Sequence, residues 1–449
     1  MGSGLAHAAL RAHRPAFIGT AVAALFAAAV VSAGTTMLVA TSAKGVSPAA
    51  RRQLTANGVG DMAAVLLIGS VYLSIFVVAS TMGTAVVQQH RELALVRAIG
   101  ARPRQVRRAV VAQALMASVP AALVGCVLGG FLARIWFDGM VTHGLVPAGV
   151  PFRFSWVALP VCLAVAVVTS ALAALLASLR FSLLRPARAL DEAAAGRRKL
   201  GALRAPLGLI AVAGGCVLSV LLSGQPADQA SQGAFLVLIL FCVGAGLLGP
   251  RIIGPAAWLV SAVVGRFGSG ARLAMLNVRS QPRRFSAALV PLILVVGFGL
   301  TKIAMHTTAE HRTGSPGSTG EVWLDYVGTG LYAGFAAIAA ANTLAMISFE
   351  RRRDIALLRV VGSLPRQVGA MAFWEAAVVA LTALLLGGAI ALGTLAPLLS
   401  AAFGSAVPYV PWPVLAGIIG STALLALAAT WVPVRAVLRR QAISVVKAT

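Results

Sequence analysis

Along this chain, long apolar runs alternate with short basic stretches. Crossing the hydrocarbon core of a bilayer takes about 20 residues of helix. Ten runs meet that length, at about 16–40, 61–87, 109–137, 155–179, 206–223, 233–250, 285–305, 323–349, 370–399 and 412–434. A strand crossing alone would leave its backbone groups unpaired in lipid, so helix is the element predicted for each. The expectation is an all-α integral membrane protein of about ten transmembrane helices.

Composition supports that class. The 449 residues are 59% hydrophobic and 11% charged, against about 25% charged in a soluble domain. The net charge of +25 does not point to nucleic acid, because the basic residues come in bursts between apolar runs and share no polar surface. They point to one side of a membrane. With the N-terminus inside, 30 of the 37 Lys and Arg residues fall in inside segments, so both termini are predicted to be cytoplasmic. Arg11, Arg14 and the run that follows resemble a signal sequence. The run is long for one, and it has a counterpart later in the chain, so it is read as a span. The four cysteines, Cys126, Cys162, Cys216 and Cys242, lie inside apolar runs without CxxC spacing and read as buried thiols. Richness in Ala, Arg and Gly points to a bacterial, GC-rich source, and hence to the bacterial cytoplasmic membrane.

The chain repeats itself. "QQHRELALVRAIGARPRQV" (88–106) aligns without a gap on "ERRRDIALLRVVGSLPRQV" (350–368), with nine of 19 positions identical. Arg91, Arg97, Gly100, Pro103, Arg104 and Gln105 pair with Arg353, Arg359, Gly362, Pro365, Arg366 and Gln367, and Glu92 with Asp354. "LAHAALRAHRPAF" (5–17) likewise matches "LAMLNVRSQPRRF" (273–285). The expected organisation is therefore two four-span units, residues 1–190 and 266–449, flanking a linker and two-span insert at 191–265. Six spans separate the unit starts, so the repeats are parallel. The outer loops, about 41–60 and 306–322, are too short to fold as domains.

Each repeated stretch reads as a helix–turn–helix elbow. Gly100 and Gly362 follow a run of strong helix formers, where a helix end favours Gly. Pro103 and Pro365 suit the first turn of a second, short helix. Two readings of the arginines compete, and in the first they only anchor the loop inside. That accounts for charge but not for the fixed spacing of acid, Arg, Gly, Pro, Arg and Gln. The other is docking of a cytoplasmic partner, with the arginines making paired hydrogen bonds to carboxylates.

The pattern RxxEIALLRAxGAxxxQV after a span resembles that of FtsX-like, MacB-type permeases of ABC transporters. "LAMLNVRSQPRRF" resembles the opening of a permease unit there, and "LLRPARAL" (183–190) and "RRQAISVV" (439–446) resemble its close. The resemblance implies that Arg91, Glu92, Arg97, Gly100, Pro103, Arg104 and Gln105, and Arg353, Asp354, Arg359, Gly362, Pro365, Arg366 and Gln367, couple the chain to a cytoplasmic ABC ATPase in two copies. Many members carry a large extracytoplasmic domain after the first span of a unit, which this chain lacks.

Other chemistry is sparse. No GxxxxGK[ST] occurs, so ATP is expected on the partner and the chain itself carries no cofactor or metal. "GAGLLG" (244–249) lies inside a span and reads as close helix packing, as do "GCVLG" (125–129) and "GLYAG" (330–334). There is no HExxH or GxSxG, so catalysis is not expected. Asn342, in the eighth span, is the best in-membrane candidate for substrate contact, ahead of Gln113 and Glu375. Pro120, Pro160 and Pro291 are expected to kink their spans. The resulting expectation is the permease of an ABC exporter moving an amphiphilic substrate (a lipid, peptide or hydrophobic antibiotic). The alternatives are a mechanotransmission subunit that moves nothing across the bilayer, and a plain membrane scaffold.

Overall fold

The computed structural model describes residues 14–42, 59–89, 100–147, 150–183, 201–225, 227–264, 268–314 and 319–439, with residues 48, 52, 54, 55, 92, 95 and 96 between them. These residues form helices and no strand. The helices are α1 (Arg14–Ser42), α2 (Val59–Gln88), α3 (Pro103–Thr142), α4 (Ala158–Leu183), α5 (Gly201–Ser223), α6 (Ala227–Val264), α7 (Ser269–Ser280), α8 (Pro282–Thr313), α9 (Thr319–Glu350), α10 (Arg352–Val360), α11 (Pro365–Phe403) and α12 (Trp412–Leu438). All but α7 and α10 coincide in order with the ten predicted spans. Nine are long and apolar enough to cross a membrane over their described residues, and α2 lies on the second predicted run.

Three expectations change. No short second helix follows either elbow turn. Pro103 and Pro365 are the first residues of α3 and α11, which run unbroken for 40 and 39 residues. No second proline falls where the basic stretch meets the apolar run (the next are Pro120 in α3 and Pro397 in α11), so the two fuse into one rod. At 1.5 Å per residue such a rod is about 60 Å long, roughly twice the hydrocarbon thickness. Pro160 stands in the first turn of α4, where it needs no kink, whereas Pro120 and Pro291 are inside α3 and α8. The second outer loop is also shorter than read, because α8 continues to Thr313 and α9 begins at Thr319.

Contacts divide the chain into two compact units. One comprises Met1–Arg198 with Ser318–Ala339, the other Lys199–Gly317 with Ala340–Thr449. The insert helices α5 and α6 thus pack with the second unit, and the division falls within α9.

In the first unit α1 is the central rod, packed by α2, α3 and α4. Lipid tails are as apolar as leucine, so such packing relies on close fit and small residues. Gly125 and Gly129 of α3 show this. A Cβ at either would stand within 3.0 Å of the α1 backbone, at Leu25 O and Ala29 O respectively. The approach lets Ser32 Oγ donate to Cys126 O (3.0 Å), and from α4 Cys162 Sγ donates to Ala28 O (3.3 Å). Gly129→Leu is therefore expected to destabilise the protein by about 1–3 kcal/mol, the usual cost of overpacking, read as a lower melting temperature in detergent. Gly417→Leu is the control, since nothing lies within 4 Å of its Cβ position. Equal melting of the two variants would contradict this packing.

In the second unit α11 is the hub, against α5, α6, α7, α8 and α12. Its Val378 and Val379 are buried among Leu289, Leu292 and Ile293 of α8 and Ala271 and Ala274 of α7. The glycines of "GAGLLG" face other helices: Gly244 meets Val212 of α5, while Gly246 and Gly249 meet Val290 and Ser286 of α8. That is the helix packing the sequence led us to expect.

Candidate functional site: two elbows

The second elbow is the better described. Helix α10 ends when Ser363 N–H reaches back to Leu358 O (2.9 Å) and Gly362 N–H to Arg359 O (3.1 Å). This closure puts Gly362 at φ 110°, where a side chain would be strained. Leu364 is extended (φ −70°, ψ 146°), and Pro365 opens α11. Gln367 then turns back, and its Oε1 accepts the Leu364 N–H at 3.0 Å, satisfying one of the free donors at a helix start.

The first elbow builds the same turn 262 residues earlier. Ala101 N–H reaches Val96 O (3.2 Å), and Gly100 has φ 104°. Arg102 is extended (φ −71°, ψ 146°), Pro103 opens α3, and Gln105 Oε1 accepts the Arg102 N–H at 2.8 Å. The repeated Gly, Pro and Gln thus have a local use: they make the turn.

The described charged members of the repeat lie at or near the surface. Glu92, Arg104, Asp354 and Arg366 are exposed, and Arg359 is half-buried. Asp354 stands in the first turn of α10 and Arg359 in its last, each at the end whose partial charge suits it. Arg91 and Arg97 lie outside the described residues, as does the side chain of Arg353.

An apolar tip was missed in the sequence. Ile355 and Ala356 of α10 face inward, at 2% and 1% exposure. A nine-residue helix cannot bury both faces, so Leu357, Val360, Val361 and Leu364 are left outside, Val361 at 86%. In the first elbow Leu95 is exposed too. The signal was the unbroken apolar lettering of "IALL" and "VV", which the arginines around it obscured.

The in-membrane candidates fare differently. Asn342 of α9 is buried, and its Nδ2 has no hydrogen-bond partner. It lies ten residues before α10, about 15 Å along the helix, so it is no part of the elbow. Gln113 of α3 is buried with Oε1 unpartnered. Glu375 of α11 is taken up by Arg351, which holds both its oxygens, and by Asn277 of α7. Among the described residues no group of His, Cys, Asp and Glu is placed to hold a metal ion.

Comparison with known families gives a match to the model described as FtsX-like permease C-terminal, over residues 64–185 and 327–442. No curated protein matches the chain. Each matched stretch contains one elbow and the long helix that follows it. Together the two stretches cover more than half of the sequence, and the chain belongs to the FtsX-like permease family, membrane subunits of ABC-type systems.

Proposed function

We propose that this chain is the permease of an ABC exporter, extracting or exporting an amphiphilic substrate such as a lipid, a peptide or a hydrophobic antibiotic. FtsX-like permeases work with a cytoplasmic ABC ATPase. In our reading two copies bind, one beneath each elbow, and ATP is held and hydrolysed there, since this chain has no GxxxxGK[ST]. The observation that carries the reading is the elbow itself. One turn is built twice, each time leading without a break into a helix of about 60 Å, so a displacement passed on to that helix reaches the far end of the span. The arginines supply charge for the contact, and the apolar tip supplies surface to bury. Asn342, a buried donor without a partner, is our candidate for a polar contact to the substrate's head group.

A mechanotransmission subunit would use the same elbows but needs something outside to pull on. Only five residues, 314–318, separate α8 from α9, which favours transport.

The reading places the elbows in the cytoplasm of a bacterial cell and both termini with them, following the positive charge. Ser363 and Ser405 bracket α11 and give the test. In a chain with its four cysteines replaced, a membrane-impermeant thiol reagent added to intact cells should label Ser405→Cys and spare Ser363→Cys. The reverse pattern would invert the topology and remove the elbows from reach of any ATPase.

A further inference from the structure

Glu375 is a carboxylate at 2% exposure in a membrane span, ten residues into α11 from Pro365. Its partner Arg351 is 7% exposed and is the single residue between the end of α9 and the start of α10. The guanidinium grips the carboxylate with both terminal nitrogens, Nη1 to Oε2 and Nη2 to Oε1, the latter at 2.9 Å. Asn277 of α7 donates to the same Oε1. The guanidinium also lies over the ring of Phe285 of α8, 5.8 Å from its centre. Four elements of the second unit therefore converge on one ion pair, at the root of the elbow helix.

Consider how a push on α10 would reach α11. The chain between them runs through Gly362 and the extended Leu364, where the hydrogen bonds close back onto α10 (Ser363 N–H to Leu358 O) or forward onto α11 (Leu364 N–H to Gln367 Oε1). The other route is the ion pair. Arg makes a planar, two-point grip that resists rotation as well as separation, which a point charge does not. A buried charge pair also has no water to exchange into, so it opens at high cost.

The first unit uses different groups at the same places. Arg351 and Glu375 align on Gln89 and Gln113 at the offset of 262. Both glutamines are buried, at 2% and 3% exposure, and Gln89 Nε2 and Gln113 Oε1 have no hydrogen-bond partner. The positions are polar in both units, but only one pair is charged and fully engaged.

The geometry points to Arg351 and Glu375, clamped by Asn277, as the positioning pair that makes α11 follow the elbow helix α10, and to unequal coupling in the two units, stiff in the second and compliant in the first. This rests on the elbow being the ATPase contact. The two units then answer the same ATPase stroke differently: α11 moves with its elbow, and α3 lags behind its own.

The test uses the full chain in complex with its ATPase. Spin labels go at Arg352, beside the pair on α10, and at Leu385, an exposed residue of α11, on a background lacking native cysteines. The distance between them is read with and without a non-hydrolysable ATP analogue. With Arg351 and Glu375 intact, one narrow distance is expected, the same in both states. The double variant R351Q/E375Q copies the pair that the first unit already tolerates, so it should fold and still bind the ATPase. Its distribution should shift on nucleotide binding and broaden roughly twofold as uncoupled arrangements become populated. R351K keeps the buried charge but loses the two-point grip, and should fall between. A double variant as narrow and nucleotide-independent as the parent would overturn the proposal, as would a parent whose own distance shifts with nucleotide. Should the double variant not assemble, R351K decides alone: parental behaviour overturns the coupling role, and nucleotide-dependent broadening supports it. Failure of the parent chain to bind the ATPase would instead overturn the docking reading, so the two failures are separable.

Discussion

Reversing Arg104 and Arg366 to glutamate together is expected to abolish co-purification of the ATPase, and each single reversal to weaken it. Both residues are exposed and stand second in α3 and α11, directly after the elbow turn. A cation there faces the positive end of the helix dipole, which costs stability. Its presence in both copies is therefore not explained by helix formation. A role toward an acidic partner explains it. Truncating one member of a buried, hydrogen-bonded charge pair costs about 2–5 kcal/mol, a loss of roughly 30-fold or more in affinity. Reversal adds repulsion. Membrane insertion should be unaffected, because each loop keeps other arginines. If the elbows were only topology anchors, the double reversal would leave complex and transport as they were.

The second large effect is expected at the apolar tip. Val361 is 86% exposed and Leu364 61%. Fully burying a Val or Leu side chain contributes about 1.5–3 kcal/mol, so replacing both by Asp should weaken ATPase binding roughly 100-fold or more. Leu364 precedes Pro365 and donates only its backbone N–H to Gln367, so the turn should survive the change. Salt separates this effect from the first. Raising ionic strength should weaken binding of the parent chain through its exposed charges and leave the contribution of Val361 and Leu364 intact. Unchanged affinity in V361D/L364D would exclude the tip from the interface.

Much of the architecture was legible because the membrane simplifies the reading. A run of apolar residues has one viable structure there, so ten helices followed from hydropathy alone. Glycine and proline marked the elbow turn correctly in both copies. What was not legible depended on three dimensions. That α3 and α11 swallow the second half of each elbow follows from a missing breaker, while the basic letters there suggested a boundary. Arg351 was counted as one more positive-inside residue. Only the fold brings it beneath Glu375, 24 residues later, and only burial distinguishes it from Arg352 beside it. The exposed tip was hidden for the opposite reason: Ile355 and Val360 read alike, but α10 turns one in and the other out. Packing of α5 and α6 with the second unit likewise left no mark in the repeat pattern.

The central claim is that the two elbows are where an ATPase engages this permease. A photo-reactive amino acid placed at Ala101 or at Ser363, in the turns just after Gly100 and Gly362, tests it most directly. We predict cross-links to the ATPase from both positions in intact membranes, and none from Ser405 at the opposite end of α11. Cross-links from neither turn, or from Ser405 instead, would contradict the account.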